Sequence, residues 1–226
     1  MSANGDPAQL PFELPHEAAL GRDDFLVGDS NRAAFELVVS WPNWPSAYAL
    51  IAGPVGAGKS HLVSIWRECS QASVVAASDL GRIDIAALAR SGPVALEDAH
   101  QNGLNQTALF HLMNATREAG HSMLLTSRTW PASWNLDLPD LASRLRLATP
   151  VEVREPDDDL LRRVLVKLFA DRQLPVEATV IDFLVVRMER SLEAANRIVA
   201  DLDRAALAAR KKINRKIAAE VLSALE

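Results

Sequence analysis

Apolar and polar positions fall into two regimes along the chain. Up to about residue 155, short apolar runs recur as "AYALIAG" (47–53), "SVVAA" (73–77), "PVALED" (93–98), "SMLLTSR" (122–128) and "VEVRE" (151–155). Helical spacing fills most of the gaps, most clearly over 60–68 and 106–119. Apolar strands separated by helices predict an α/β fold whose parallel sheet is covered on both faces. After Pro156 the strand-like runs stop. The spacing there predicts helices near 158–172, 177–188, 191–210 and 214–225, with Asp157 and Asn214 as caps. The organisation is therefore an arm over 1–20, an α/β domain over 21–155 and a small helical domain over 156–226. The arm carries three prolines and little periodicity. Ser30 is placed to cap a helix from Asn31 to about Ser40, with Ala34, Leu37 and Val38 inward. Trp41, Trp44 and two prolines end that helix. The tryptophans are expected to pack the strand edge, stacking on a base being the alternative.

Parallel sheets bind ligands beyond the carboxyl ends of their strands. Three chemically loaded segments sit at such ends: "GPVGAGKSHL" (53–62), Glu97–Asp98 and Thr126–Arg128. The first has the pattern Gly-x4-Gly-Lys-Ser between a strand and a helix. Gly53, Gly56 and Gly58 can take backbone angles that other residues avoid. A loop of this kind turns its N–H groups around phosphate oxygens, and the following helix adds its positive end. In that arrangement Val55, Ala57 and His61 belong to the phosphate loop, Lys59 reaches the β- and γ-phosphates, and Ser60 takes Mg²⁺. Such a loop reads phosphates and leaves the base open.

Composition narrows the surroundings. With 226 residues and 49% apolar content, the chain can bury a large core and a smaller one. Twenty-four basic against 29 acidic residues give a net charge of −5, which does not suit a dedicated nucleic-acid binder. The single cysteine, Cys69, excludes an intramolecular disulfide and is expected in the core of a helix. No run of eighteen apolar residues and no signal-peptide pattern occurs, so a soluble cytoplasmic protein without membrane contact is expected. The histidines do not form a metal-binding pattern; His100 and His111 lack the spacing of a pair. Tyr48 and Phe110 read as core or near-core residues. The basic stretch Arg204, Arg210, Lys211, Lys212, Arg215 and Lys216 reads as a solvated face or protein contact before a DNA reader.

Taken in order, the motifs resemble those of AAA+ proteins of the DnaA branch, and within it the Hda group of regulatory homologues. The segments are "DDFLVGDSNRAAFELV" (23–38), the phosphate loop, "VALEDAH" (94–100), "LLTSRTWP" (124–131), "LASRLRLATPVEVREPDDDLLRRVL" (141–165) and "MERSLEAANRIVADLDRAALAARKKI" (188–213). The resemblance runs from about residue 8 to the end. It implies an AAA+ P-loop NTPase fold with a helical lid and a bound ADP or ATP with Mg²⁺. Phe25, Leu26 and Val27 would then contact the adenosine. Glu97 and Asp98 would form Walker B, with Glu97 holding Mg²⁺ beside Ser60. Thr126 and Ser127 would be the sensor 1 residues. Arg144 would be an arginine finger acting in trans, the bland alternative being a solvated arginine beside Arg146. Arg190 would be sensor 2, with Arg187 close enough to keep that choice open. In the arm, "QLPFELP" (9–15) resembles the sliding-clamp motif of the Hda group. Gln9 would enter a polar pocket, and Leu10 with Phe12 or Leu14 an apolar one.

Three positions depart from the pattern. Walker B usually carries Asp-Asp or Asp-Glu, and here it is Glu97-Asp98. Sensor 1 in DnaA commonly reads Thr-Ser-Asp, and here Arg128 replaces the acid. These changes bear on turnover more than on binding. The resemblance implies a negative regulator of replication initiation that binds the polymerase sliding clamp and promotes ATP hydrolysis by DnaA. It would meet DNA through the clamp, associate with the replisome or nucleoid, and self-associate when nucleotide is bound. An ATP-driven helicase loader and a nucleotide-dependent recruitment factor are the alternatives.

Overall fold

The computed structural model describes residues 21–101, 103–209 and 211–225. Five strands form one all-parallel sheet: β1 (Tyr48–Ala52), β2 (Ser73–Ala76), β3 (Val94–Glu97), β4 (Met123–Ser127) and β5 (Thr149–Glu152). Their spatial order is β2-β3-β4-β1-β5, so the strand leading into the phosphate loop lies inside the sheet. All five residues of β1 and of β4 are buried. Alternation divides their side chains between two cores. Ala49, Ile51 and Leu124 face α1 (Arg32–Val39) and α2 (Lys59–Ser70), together with the fully buried Trp66. Tyr48, Leu50, Met123 and Leu125 face the other layer, formed by α3 (Ile85–Ser91), α4 (Gln106–Glu118) and α5 (Pro139–Leu145).

A third core belongs to the helices after the sheet. Leu161, Leu165 and Phe169 of α6 (Asp158–Asp171) meet Ile181 and Leu184 of α7 (Ala178–Arg187). They also meet Ile198 and Leu202 of α8 (Leu192–Ala209) and Ile217 of α9 (Arg215–Ser223). Both expected caps are made: Asp157 accepts from the Leu160 N–H, and Asn214 from those of Lys216 and Ile217. No helix among the described residues is long and apolar enough to cross a membrane.

Some local expectations change. Asn31, and not Ser30, stands before α1, and its amide turns backward to accept from the Gly28 N–H and donate to the Leu26 carbonyl. Strand β5 begins two residues early and includes Pro150. An edge strand tolerates a proline because one side of its backbone has no partner strand. Cys69 is exposed; its thiol turns back on the Trp66 carbonyl while Ser70 takes the inward position on that turn. Trp44 stacks on Trp66 with ring centroids 5.1 Å apart, and Trp41 meets the same ring edge-on at 6.4 Å. Those contacts use both indoles for packing. The arm residues Gln9, Leu10, Phe12 and Leu14 lie outside the described residues.

Candidate nucleotide site

Strand β1 ends at Ala52, and the chain then rises over the carboxyl end of the sheet before α2 begins at Lys59. The loop is shaped by close approaches. A Cβ on Gly53 would fall 2.1 Å from the Val153 carbonyl oxygen, so the backbone just after β5 leaves room for no side chain there. Gly56 and Gly58 both have positive φ, 69° and 95°, which side-chain residues adopt with strain. A Cβ on Gly58 would lie 3.2 Å from Leu192 and 3.6 Å from the Phe25 ring. Ala57 is buried beneath the loop, whereas Val55 and Ser60 face solvent. This cradle, opening at the first turn of a twelve-residue helix, fits phosphate groups.

Lys59 is only 8% exposed. Its ammonium donates to the carbonyls of Gly53 (2.8 Å) and Pro54 (2.6 Å), which folds the side chain back along the loop. Burial pushes its pKa below the usual lysine value. The Asp98 charge opposes that shift, Arg128 adds to it, and Glu97 opposes it. Lysine, both acids and Arg128 therefore share one electrostatic neighbourhood.

Glu97 ends β3, and Asp98 follows with φ at 56°. The Asp98 N–H donates to Thr126 Oγ1 at 3.2 Å, and the Ala99 N–H to the Thr126 carbonyl at 2.9 Å. Thr126 thus stands directly beside the acidic turn. Ser127 is fully buried, and its hydroxyl donates to the Thr129 carbonyl at 2.6 Å. His100 completes the group and was not among the site residues expected from sequence. Its Nδ1 accepts from the Arg128 N–H at 3.2 Å and lies 4.0 Å from an Asp98 carboxylate oxygen. Burial lowers the His100 pKa, Asp98 opposes this, and Arg128 and Lys59 reinforce it. Because Nδ1 accepts from an N–H, a neutral imidazole here carries its proton on Nε2. The signal available in sequence was "EDAH" itself, which puts His100 two residues after the second acid.

On the other side of the loop, Phe25 is buried, stacks on Phe35 at 5.5 Å and meets His61 edge-on at 5.0 Å. His61 Nε2 lies 2.9 Å from the Gly21 carbonyl. Leu26 and Val27 are partly buried; their carbonyls accept from Asn31 and Arg163. Arg190 pairs with Asp158 at 2.7 Å, where α6 begins. Arg187 instead lies over the Phe183 ring at 4.2 Å, a ring that Arg215 also approaches at 4.8 Å, inside the helical part. Of the two arginines, Arg190 is the one near the Pro156 connection, whose carbonyl it reaches at 3.5 Å.

Arg144 is placed elsewhere. It lies on the last turn of α5, five residues before β5 starts. Residue Thr149 of β5 pairs with Ala49, near the beginning of β1. The Arg144 charge also acts on Tyr48, the first residue of β1, whose phenol is raised by burial and lowered by Arg117 and Arg144. This end of the sheet is about 17 Å, one strand length, from the end that carries the phosphate loop. Among the described residues Arg144 has no ion pair or side-chain hydrogen bond. No group of three or more metal-ligating side chains occurs among the described residues. An open groove of about 990 Å³ also runs between Gly53–Pro54, Arg128–Trp130 and Glu152–Glu155; its lining stops at Pro54.

No family model matches the sequence. Solved structures do resemble the fold. Domain III of the Thermotoga maritima replication initiation protein DnaA superposes with a TM-score of 0.79 at 17% identity, covering 93% of this chain and 98% of that one. AMPPCP-bound DnaA from Aquifex aeolicus gives 0.68 at 21% identity, covering 80% of this chain and 64% of that one. The Thermotoga maritima RuvB Holliday junction branch migration motor gives 0.72 at 16% identity, with 91% and 72% covered. Five parallel strands in this order, the surrounding helices and these likenesses give the chain the fold of an AAA+ P-loop ATPase domain, as in DnaA and RuvB.

Proposed function

We propose that the protein is a nucleotide-bound adaptor of the Hda type, which promotes ATP hydrolysis on DnaA and so restrains replication initiation. The observation that carries this reading is Arg144: a guanidinium without an ion pair or side-chain hydrogen bond among the described residues, at the end of the sheet opposite its own phosphate loop, suits a nucleotide on a neighbouring protein. The DnaA-like fold supplies a matching partner class, and DnaA has been solved bound to AMPPCP. In this chain Gly56, Gly58 and Lys59 would hold the phosphates of ADP or ATP, and Phe25, Leu26 and Val27 would border the adenosine. Ser60 and Glu97 would hold Mg²⁺, which supplies neutralisation of phosphate charge. Self-association through the same Arg144 surface belongs to this reading.

Turnover by the protein alone should be slow. Glu97 carries its carboxylate one methylene further than aspartate would, Asp98 is shorter than a glutamate base, and Arg128 replaces a sensor-side acid. Small misplacements of water or metal can reduce a rate roughly 100-fold. Rapid ATP hydrolysis by the purified protein, without partner or clamp, would favour an ATP-driven loader instead.

Attachment to the sliding clamp is assigned to the arm. Replacing Gln9 and Leu10 together by alanine removes a polar and an apolar anchor. Loss of a central anchor typically costs about 2 kcal/mol or more. Clamp affinity should therefore fall at least roughly 30-fold while nucleotide affinity stays unchanged. An unaltered clamp dissociation constant would remove the arm from the proposal. The adaptor reading as a whole is tested by labelled-ATP turnover on DnaA with DNA-loaded clamp, with and without this protein. Clamp binding with no change in turnover would point to passive recruitment.

A further inference from the structure

The ladder between β3 and β4 stops at the pair Leu96 and Leu125. Beyond it, three hydrogen bonds continue to tie the two chains together. Two end on Thr126, from the N–H groups of Asp98 and Ala99. The third runs from the Arg128 N–H to His100 Nδ1. The His100 side chain is only 15% exposed, and the same Nδ1 faces the Asp98 carboxylate at 4.0 Å. One imidazole edge therefore bonds the backbone that carries Arg128 and lies beside the turn that carries the second acid. The end of β4 also lies against the start of the phosphate loop: Ala52 pairs with Ser127, and the Gly53 N–H donates to the Ser127 carbonyl at 3.1 Å, so this edge stands beside the loop.

We propose that His100 is a positioning residue through which the site distinguishes nucleoside triphosphate from diphosphate, because its Nδ1 accepts from the Arg128 N–H and so fixes the Arg128 backbone beside the Asp98 turn. The inference rests on the nucleotide-site reading given above. A diphosphate ends before this region and does not depend on the arrangement. A triphosphate meets Asp98 and Arg128 directly, one repelling and one attracting its charge, so their spacing sets its affinity. Asparagine can put an amide oxygen where Nδ1 lies, and glutamine puts one nearer Nε2.

The test compares native, His100→Ala, His100→Asn and His100→Gln proteins by calorimetry with ADP and with the non-hydrolysable triphosphate AMPPCP. Thermal unfolding without nucleotide checks the fold. His100→Ala should weaken AMPPCP about tenfold, the worth of one hydrogen bond, and leave ADP within about twofold. His100→Asn should return the AMPPCP to ADP ratio to near native, and His100→Gln should not. If the alanine protein does not fold, the asparagine and glutamine proteins carry the comparison. Equal losses for both nucleotides, or an asparagine protein no better than the glutamine one, would overturn the proposal. Failure of the native protein to bind either nucleotide would reject the underlying site reading instead.

Discussion

Lys59→Ala should lose tight binding of both ADP and ATP while keeping the native fold. Lys59 is 8% exposed, and among the described residues its ammonium bonds only to the loop carbonyls of Gly53 and Pro54, so it is held at the cradle. Phosphate would replace those carbonyls as its partner. Removing one member of a buried charged hydrogen-bonded pair costs about 2–5 kcal/mol, or at least roughly 30-fold in affinity. The fold should survive because Lys59 is the first residue of α2, whose packing runs through Leu62, Val63 and Trp66. Calorimetry with each nucleotide checks the expectation, and unchanged affinities would reject the phosphate-loop assignment.

Arg144→Ala should keep nucleotide and clamp binding yet abolish stimulation of DnaA. An arginine finger stabilises charge on the transferring phosphoryl group and contributes roughly 10³–10⁵ in rate where it has been removed. Lysine should rescue poorly, because it lacks the planar fork of donors. Arg190→Ala should behave differently. Its partner is Asp158 at the start of α6, so the first effect should fall on the protein's own nucleotide and on the helical part. Single-turnover hydrolysis on preloaded ATP–DnaA, with clamp on DNA, separates the variants at saturating concentration. Full stimulation by the alanine protein would sink the trans mechanism.

Much of this architecture was legible because strong local signals agreed with the tertiary arrangement. Five apolar runs gave five strands, and Asp157 and Asn214 capped helices as their side chains permit. Elements shorter than two turns of periodic pattern were harder. Helices α3 and α5 have seven residues each, and α5 begins at Pro139 with no capping side chain. The start of β5 was hidden by Pro150, which is tolerable only on an edge, and edge position is a property of the whole sheet. Cys69 was misplaced because helical phase alone does not say where the covering layer ends. In the site, the loop and the acidic pair were visible as patterns. The link from His100 to Arg128 spans 28 residues and depends on a left-handed turn at Asp98, so no local pattern announces it.

At Gly56 the two halves of the molecule are hydrogen-bonded across the loop. Its carbonyl accepts from the Leu192 N–H at 2.8 Å, and a Cβ there would fall 2.1 Å from Ser191 Oγ. The start of α8 thus rests on the same peptide units that would wrap a phosphate chain. For a nucleotide held as proposed, the phosphate-wrapping backbone and the first turn of α8 would share one hydrogen bond, so a shift of the helical half at this seam would be felt directly by the loop.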